Sequence, residues 1–133
     1  MEQKATRRKA AVLTEFETDM TVRETIRWQW QDYARYHEDR GNLLLHIFAV
    51  GLFWVAALSL VIGAVRFSIL TMVLAASALL ISMVLQSMGH KKEANPPVPF
   101  TGKADFFKRF LSEQFVTFPR FVLTGGWFKN FFR

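Results

Sequence analysis

The chain contains no cysteine, so disulfides, thiolate metal sites and cysteine nucleophiles are excluded. Proline is scarce: Pro96, Pro97 and Pro99 sit together, and Pro119 stands alone. Charge is absent from two long stretches. From Leu43 to Val65 the only ionisable group is His46, and after Arg66 the segment Phe67 to Met88 is again uncharged. Each stretch is long enough to cross a bilayer core of roughly 30 Å. No glycine-rich phosphate loop is present. Ser82 and Ser87 lie in the second apolar stretch without a nucleophile elbow, so a serine hydrolase has little support and helix packing is their ordinary role. The opening residues mix both signs of charge, unlike a cleaved signal peptide.

What charge there is lies at the ends. The net charge is +6, and sixteen of the seventeen Lys and Arg residues flank the pair of apolar stretches, with Arg66 alone between them. Residues 1–42 balance eight cations against eight anions, while residues 89–133 hold eight against three. Cations beside a membrane are topology signals and headgroup partners, so nucleic acid is not an expected partner. The asymmetry places both termini in the cytoplasm and the Arg66 turn on the far side. The membrane would be the inner membrane in a bacterium or the endoplasmic reticulum in a eukaryote.

The expected fold is an all-α membrane protein of one domain, 20–133, after a polar segment at 1–19 in which Lys4 to Phe16 can be helical. Thr21-Val22-Arg23-Glu24 has the form of a capping box. Val22, Ile26, Trp30, Tyr33 and His37 then recur on one helical face, so an interfacial helix is expected over 20–39. Asp39-Arg40-Gly41-Asn42 reads as the turn that ends it. Two transmembrane helices follow at 43–65 and 67–92, joined so tightly that they form an antiparallel hairpin. Gly51, Ala56, Ala57, Ser59 and Gly63 in the first, and Ala75, Ala76, Ser77, Ala78 and Ser82 in the second, would permit close approach. Asn95 to Pro99 cannot be helical. A second interfacial helix is expected over 105–118, stopped by Pro119, with Phe107, Phe110, Leu111, Phe115 and Phe118 as its apolar face and Lys108, Glu113 and Gln114 largely off it. Gly125-Gly126 reads as a turn, and so aromatic a tail should dock on the hairpin or lie in the headgroup layer.

Counting from the turn brings two histidines to one level. His46 lies 20 residues before Arg66 and His90 lies 24 after it, roughly 30 and 36 Å away at about 1.5 Å per residue. The break near Gly41 lets His37 fold back over the mouth of the hairpin, and if the second helix continues to Glu93 that residue shares a face with His90 at i, i+3. Three imidazoles and a carboxylate can thus meet at one membrane edge, a donor set suited to first-row metals such as iron or zinc. An ionisable group inside a span is itself a pointer to function. Two alternatives stand beside this: histidines with purely structural roles, and a haem held between His46 and His90.

These same residues resemble a known family. Tyr33-Ala34-Arg35-Tyr36-His37, then Asn42, then His46 resembles the Y-x-x-Y-H-x4-N-x3-H signature of the 2-hydroxy fatty acid dioxygenase family. Gly89-His90 with Glu93 and Pro97 is similar to its second signature, and the phenylalanine-rich tail fits a short bacterial branch. The resemblance implies a membrane-bound, Fe(II)-dependent enzyme of fatty acid α-oxidation that uses O2 to shorten a 2-hydroxy fatty acid by one carbon. It implies His37, His46 and His90 as catalytic metal ligands, Glu93 as a ligand or an orienter of one, and Asn42 as a supporting hydrogen-bonder. A fatty acid or other membrane lipid is then the expected partner, and so thin a scaffold is expected to form a homodimer or higher homo-oligomer. The competing expectation is a non-catalytic membrane scaffold that organises lipid or a partner.

Overall fold

A computed structural model describes residues 20–133; the polar segment 1–19 and its expected helix lie outside them. Every regular element among the described residues is helical. Contacts group them into two compact units: one joins the chain up to Tyr33 with Val98–Thr124, and the other joins Ala34–Pro97 with Gly125–Arg133.

The second unit is built on a hairpin of α2 (Arg40–Val65) and α3 (Ile69–His90). Both helices are long and apolar enough to cross a membrane. Only 28% and 17% of their apolar windows are buried, so most of that surface faces outward, as in a hairpin whose solvent is lipid. The seam between them has a period of seven. Asn42, Ala49, Ala56 and Gly63 of α2 are buried, as are Ala75, Ser82 and Gly89 of α3. A seven-residue repeat keeps one face turned to the partner helix, and small side chains let the backbones come close. Ser82 Oγ reinforces the seam by donating to the Ala49 carbonyl at 2.7 Å, and Gln86 Nε2 donates to Ser82 Oγ at 3.1 Å. Of the small residues expected at this contact, Ala56, Gly63, Ala75 and Ser82 are buried in it; Gly51, Ala76 and Ser77 are exposed.

The first interfacial helix, expected over 20–39, ends at Asp32, and at the open end of the hairpin two boundaries differ from expectation, for one reason each. Helix α2 begins at Arg40 because Asp39 takes the N-cap, its Oδ1 accepting from the Asn42 N–H at 2.8 Å. Asp39-Arg40-Gly41-Asn42 is therefore a helix start and not a turn. Helix α3 ends at His90, two residues early, and Glu93 is drawn away to the N-terminus of α2. The hairpin turn is as tight as expected: Phe67 adopts a positive φ of 52° and Ser68 caps α3. The tail returns to this unit through Gly125, whose φ of 81° only glycine adopts easily, into the short helix α6 (Gly126–Phe131). Trp127 Nε1 donates to the Leu43 carbonyl at 3.1 Å, so this part of the tail docks on the hairpin.

The first unit contains α1 (Val22–Asp32), α4 (Lys103–Ser112) and α5 (Phe118–Leu123). The Thr21–Glu24 capping box forms as expected. Where a single helix over 105–118 was expected to stop at Pro119, the chain instead passes from α4 through a π turn, Glu113–Thr117, into α5. The wider turn opens the hydrogen-bond ladder, and Pro119 falls in the first turn of α5, where a missing N–H does no harm.

The expected apolar face is divided: Phe118 is buried and Phe110 half-buried, while the rest of it is exposed. Asp105, Arg109, Ser112, Gln114 and Thr117 are buried, whereas Phe107, Leu111 and Phe115 point outward. Polar groups turn inward here because they pair there. Gln29 Nε2 donates to the Arg109 carbonyl at 2.9 Å, and Thr117 Oγ1 donates to Gln29 Oε1 at 3.1 Å. Arg109 lies over the rings of Trp28 and Phe100, pairs with Asp105 at 3.2 Å, and donates to the Val98 and Pro99 carbonyls. Apolar side chains facing out and paired polar ones facing in is the pattern of a helix in contact with lipid.

Candidate metal centre

Three segments of the second unit each deliver one imidazole. His37 follows a 3-10 turn, Tyr33–Tyr36, at the break before α2; its backbone is held by Asn130 of α6, whose Nδ2 donates to the His37 carbonyl at 2.7 Å and to that of Ala34 at 2.8 Å. His46 stands two turns into α2, on the face that carries Asn42 and Leu43. His90 is the last residue of α3. His37 and His46 are 1% and 0% exposed, so neither ring is there to meet water.

The rings form a near-regular triangle. Their centroids are 4.9 Å apart for His37 and His46, 5.1 Å for His37 and His90, and 4.8 Å for His46 and His90, each pair steeply inclined. One ring nitrogen from each lies within 4.8 Å of the others. All three histidines named from the sequence are thus brought together.

The expected supporting residues build the side of the triangle behind His46. The Asn42 amide lies 3.3 Å from His46 Nδ1 through its Oδ1, and its Nδ2 donates to Glu93 Oε1. A carboxylate only accepts, so the Asn42 amide must turn its NH2 to Glu93 and its carbonyl to His46. His46 Nδ1 is therefore the donor in this contact, and Nε2 is the ring's accepting nitrogen. Fixing the tautomer of a histidine through a chain ending in a carboxylate is how proteins orient an imidazole for a metal.

Glu93 is the expected ligand that does not join the rings. Its carboxylate accepts from the backbone N–H groups of Glu38 and Asp39, at 3.1 to 3.2 Å, as well as from Asn42. These N–H groups precede the first turn of α2, where a negative charge also meets the positive end of the helix dipole. The bonds of Glu93 place it behind Asn42 and not among the ring nitrogens.

Gly89 makes the arrangement sterically possible. A Cβ at this position would lie 2.3 Å from Asn42 Oδ1, so only glycine lets α3 pass this close to the Asn42 amide. Asn130 and Trp127 were missed at the sequence level. Their one signal is that they are the polar and indole groups of an otherwise aromatic tail, spaced i, i+3.

The donor set fits a first-row transition metal. Three imidazoles, one with its tautomer set by Asn42, suit iron, zinc, copper or nickel, and three protein ligands leave positions open for exogenous groups. A haem between His46 and His90 is ruled out by the 4.8 Å between their centroids, which leaves no space for a macrocycle. Ser82 is committed to the helix seam, where its hydroxyl donates to Ala49 and accepts from Gln86, so a serine nucleophile has no support in the geometry. Lys91 and Lys92 follow His90 directly and are exposed. No protein-family model matches the chain, and no curated protein or solved structure is similar to it.

Proposed function

We propose that the chain is a membrane-bound, Fe(II)-dependent oxygenase that converts a 2-hydroxy fatty acid to the acid one carbon shorter. The observation that carries the proposal is the convergence of three imidazoles, from three separate segments, at the open end of a hairpin long enough to span a bilayer. His37, His46 and His90 would hold the ion. When bound, it supplies the redox chemistry with O2 and an electrophilic seat for the substrate's oxygens. The reaction balances with the hydroxy acid and O2 as sole reactants, giving the shorter acid, carbon dioxide and water.

The protein's own groups do the positioning. Asn42 and Glu93 keep His46 Nε2 facing the centre, and Asn130 holds the backbone on which His37 sits. The exposed cations of Lys91 and Lys92 draw in the substrate carboxylate, while the apolar flank of α2 and α3 carries the acyl chain in lipid. The flanking cations set the orientation, with the histidine end and both termini in the cytoplasm.

The test is direct. Detergent-purified protein is loaded with Fe(II) under anaerobic conditions and given a 2-hydroxy fatty acid and O2. Formation of the acid one carbon shorter, with matching O2 consumption, is the expected result. An unchanged acid and unconsumed O2 from iron-loaded protein would end the proposal.

A further inference from the structure

The first unit carries a second constellation, made of cations. Arg23 and Arg27 lie one turn apart on α1, Trp30 follows them, and Arg120 comes from α5; with Ile26 they line an open groove of about 440 Å³. The Arg120 guanidinium sits over the Trp30 ring, 4.0 Å from its centroid, which holds it in place by cation–π attraction. Among the described residues no carboxylate forms an ion pair with Arg23, Arg27 or Arg120. Glu24 is the nearest acid on α1, and its carboxylate is engaged by the N–H and hydroxyl of Thr21, with Arg27 adding only a longer-range attraction.

Among the described residues no ion pair accounts for gathering these three charges. Like charges one turn apart on an exposed helix repel, and Arg23 stands at the positive end of the α1 dipole. Three permanently charged forks facing a common space complement a group with several anionic oxygens. Apolar side chains lie one helical turn from its lining, Val22 before Ile26 and Leu123 after Arg120. Val22, one residue before Arg23, is 58% exposed, and Leu123, three residues after Arg120, is 86% exposed. A free inorganic anion would have no use for these, whereas an amphiphile would.

We propose that this groove binds the phosphate of a net-anionic phospholipid, whose acyl chains lie along Val22 and Leu123. The site is independent of the histidine centre, and its test needs neither metal nor turnover.

The full chain, purified in a neutral detergent, is examined by native mass spectrometry with phosphatidylglycerol or with phosphatidylcholine. The anionic lipid should be retained about tenfold better, the effect expected for charge-assisted hydrogen bonds. Arg23→Gln, Arg27→Gln and Arg120→Gln together should abolish that preference, and exposed Arg23→Gln alone should weaken it. Lys129→Gln, which removes one charge from an exposed position elsewhere, should leave it intact. Millimolar inorganic phosphate should not displace the lipid. Equal retention of the two lipids, an equal loss in Lys129→Gln, or displacement by phosphate would each overturn the proposal.

Discussion

Gly89→Ala adds a single methyl group at the one point where the hairpin has no room for it. The new Cβ would stand 2.3 Å from Asn42 Oδ1, 3.3 Å from its Cγ and 3.5 Å from its Cα. The contact is relieved in one of two ways. Either Asn42 rotates and gives up its bonds to Glu93 and His46, or α2 and α3 part along their seven-residue seam. Overpacking costs about 1–3 kcal/mol and loss of a buried hydrogen bond to a charged group about 1.5–3 kcal/mol. Because these are alternative routes, the expected destabilisation is about 2 kcal/mol and not their sum. The first route releases His46 Nδ1 and the second carries His90 away from the other two rings, so either way metal affinity should fall about 10–100-fold. Gly51→Ala is the control, since nothing lies within 4 Å of its Cβ, and it should be neutral or stabilising by up to about 1 kcal/mol. Thermal melting in detergent reads the first effect, and chelator competition for Fe(II) or Zn(II) reads the second. A Gly89→Ala protein that melts and binds metal as Gly51→Ala does would refute the reasoning.

Three further outcomes are expected. Glu93→Gln keeps the shape but removes the charge behind Asn42, so chelator competition should show metal bound about tenfold more weakly and not lost. Ser82→Ala removes the bond to the Ala49 carbonyl and should lower stability by about 0.6 kcal/mol, the average for such bonds between membrane helices, measured by reversible unfolding in mixed micelles. Tyr33 donates to Glu113 Oε1 at 2.7 Å, and burial, then the Glu113 charge, hold its phenol well above the ordinary value of 10.0. A pKa raised on folding gives stability that is present below that ordinary value and lost as pH rises past it. Melting temperatures should therefore fall in alkali for the wild type, and Tyr33→Phe should show a flatter alkaline limb.

Much of the fold is legible in the sequence because charge is excluded from lipid. The gap in charge around Arg66 marks both helices, and counting residues at a fixed rise brings His46 and His90 to one level. The capping box at Thr21 and Glu24 is equally local, since both partners lie within one turn. What was not legible depends on partners distant in the chain. Asp39 can start a helix or close a turn, and its own N–H meets the Glu93 carboxylate from more than fifty residues away. Glu93 sits three residues from His90, as a ligand would, yet the open N–H groups before α2 capture it. Along 105–118 the apolar stripe is legible but not which of its rings are buried: Phe118 turns inward and Phe107 and Phe115 outward, while Asp105 and Arg109 pair inside. Asn130 holds the His37 backbone from more than ninety residues away, and no local pattern announces that.

The most direct test of the central claim is the metal content of the detergent-purified chain, measured by elemental analysis beside His37→Ala, His46→Ala and His90→Ala. The account predicts a single ion per wild-type chain and its loss from each variant, with helical circular dichroism retained. A wild-type protein that stays folded and takes up no metal, or variants that all keep the ion, would contradict it.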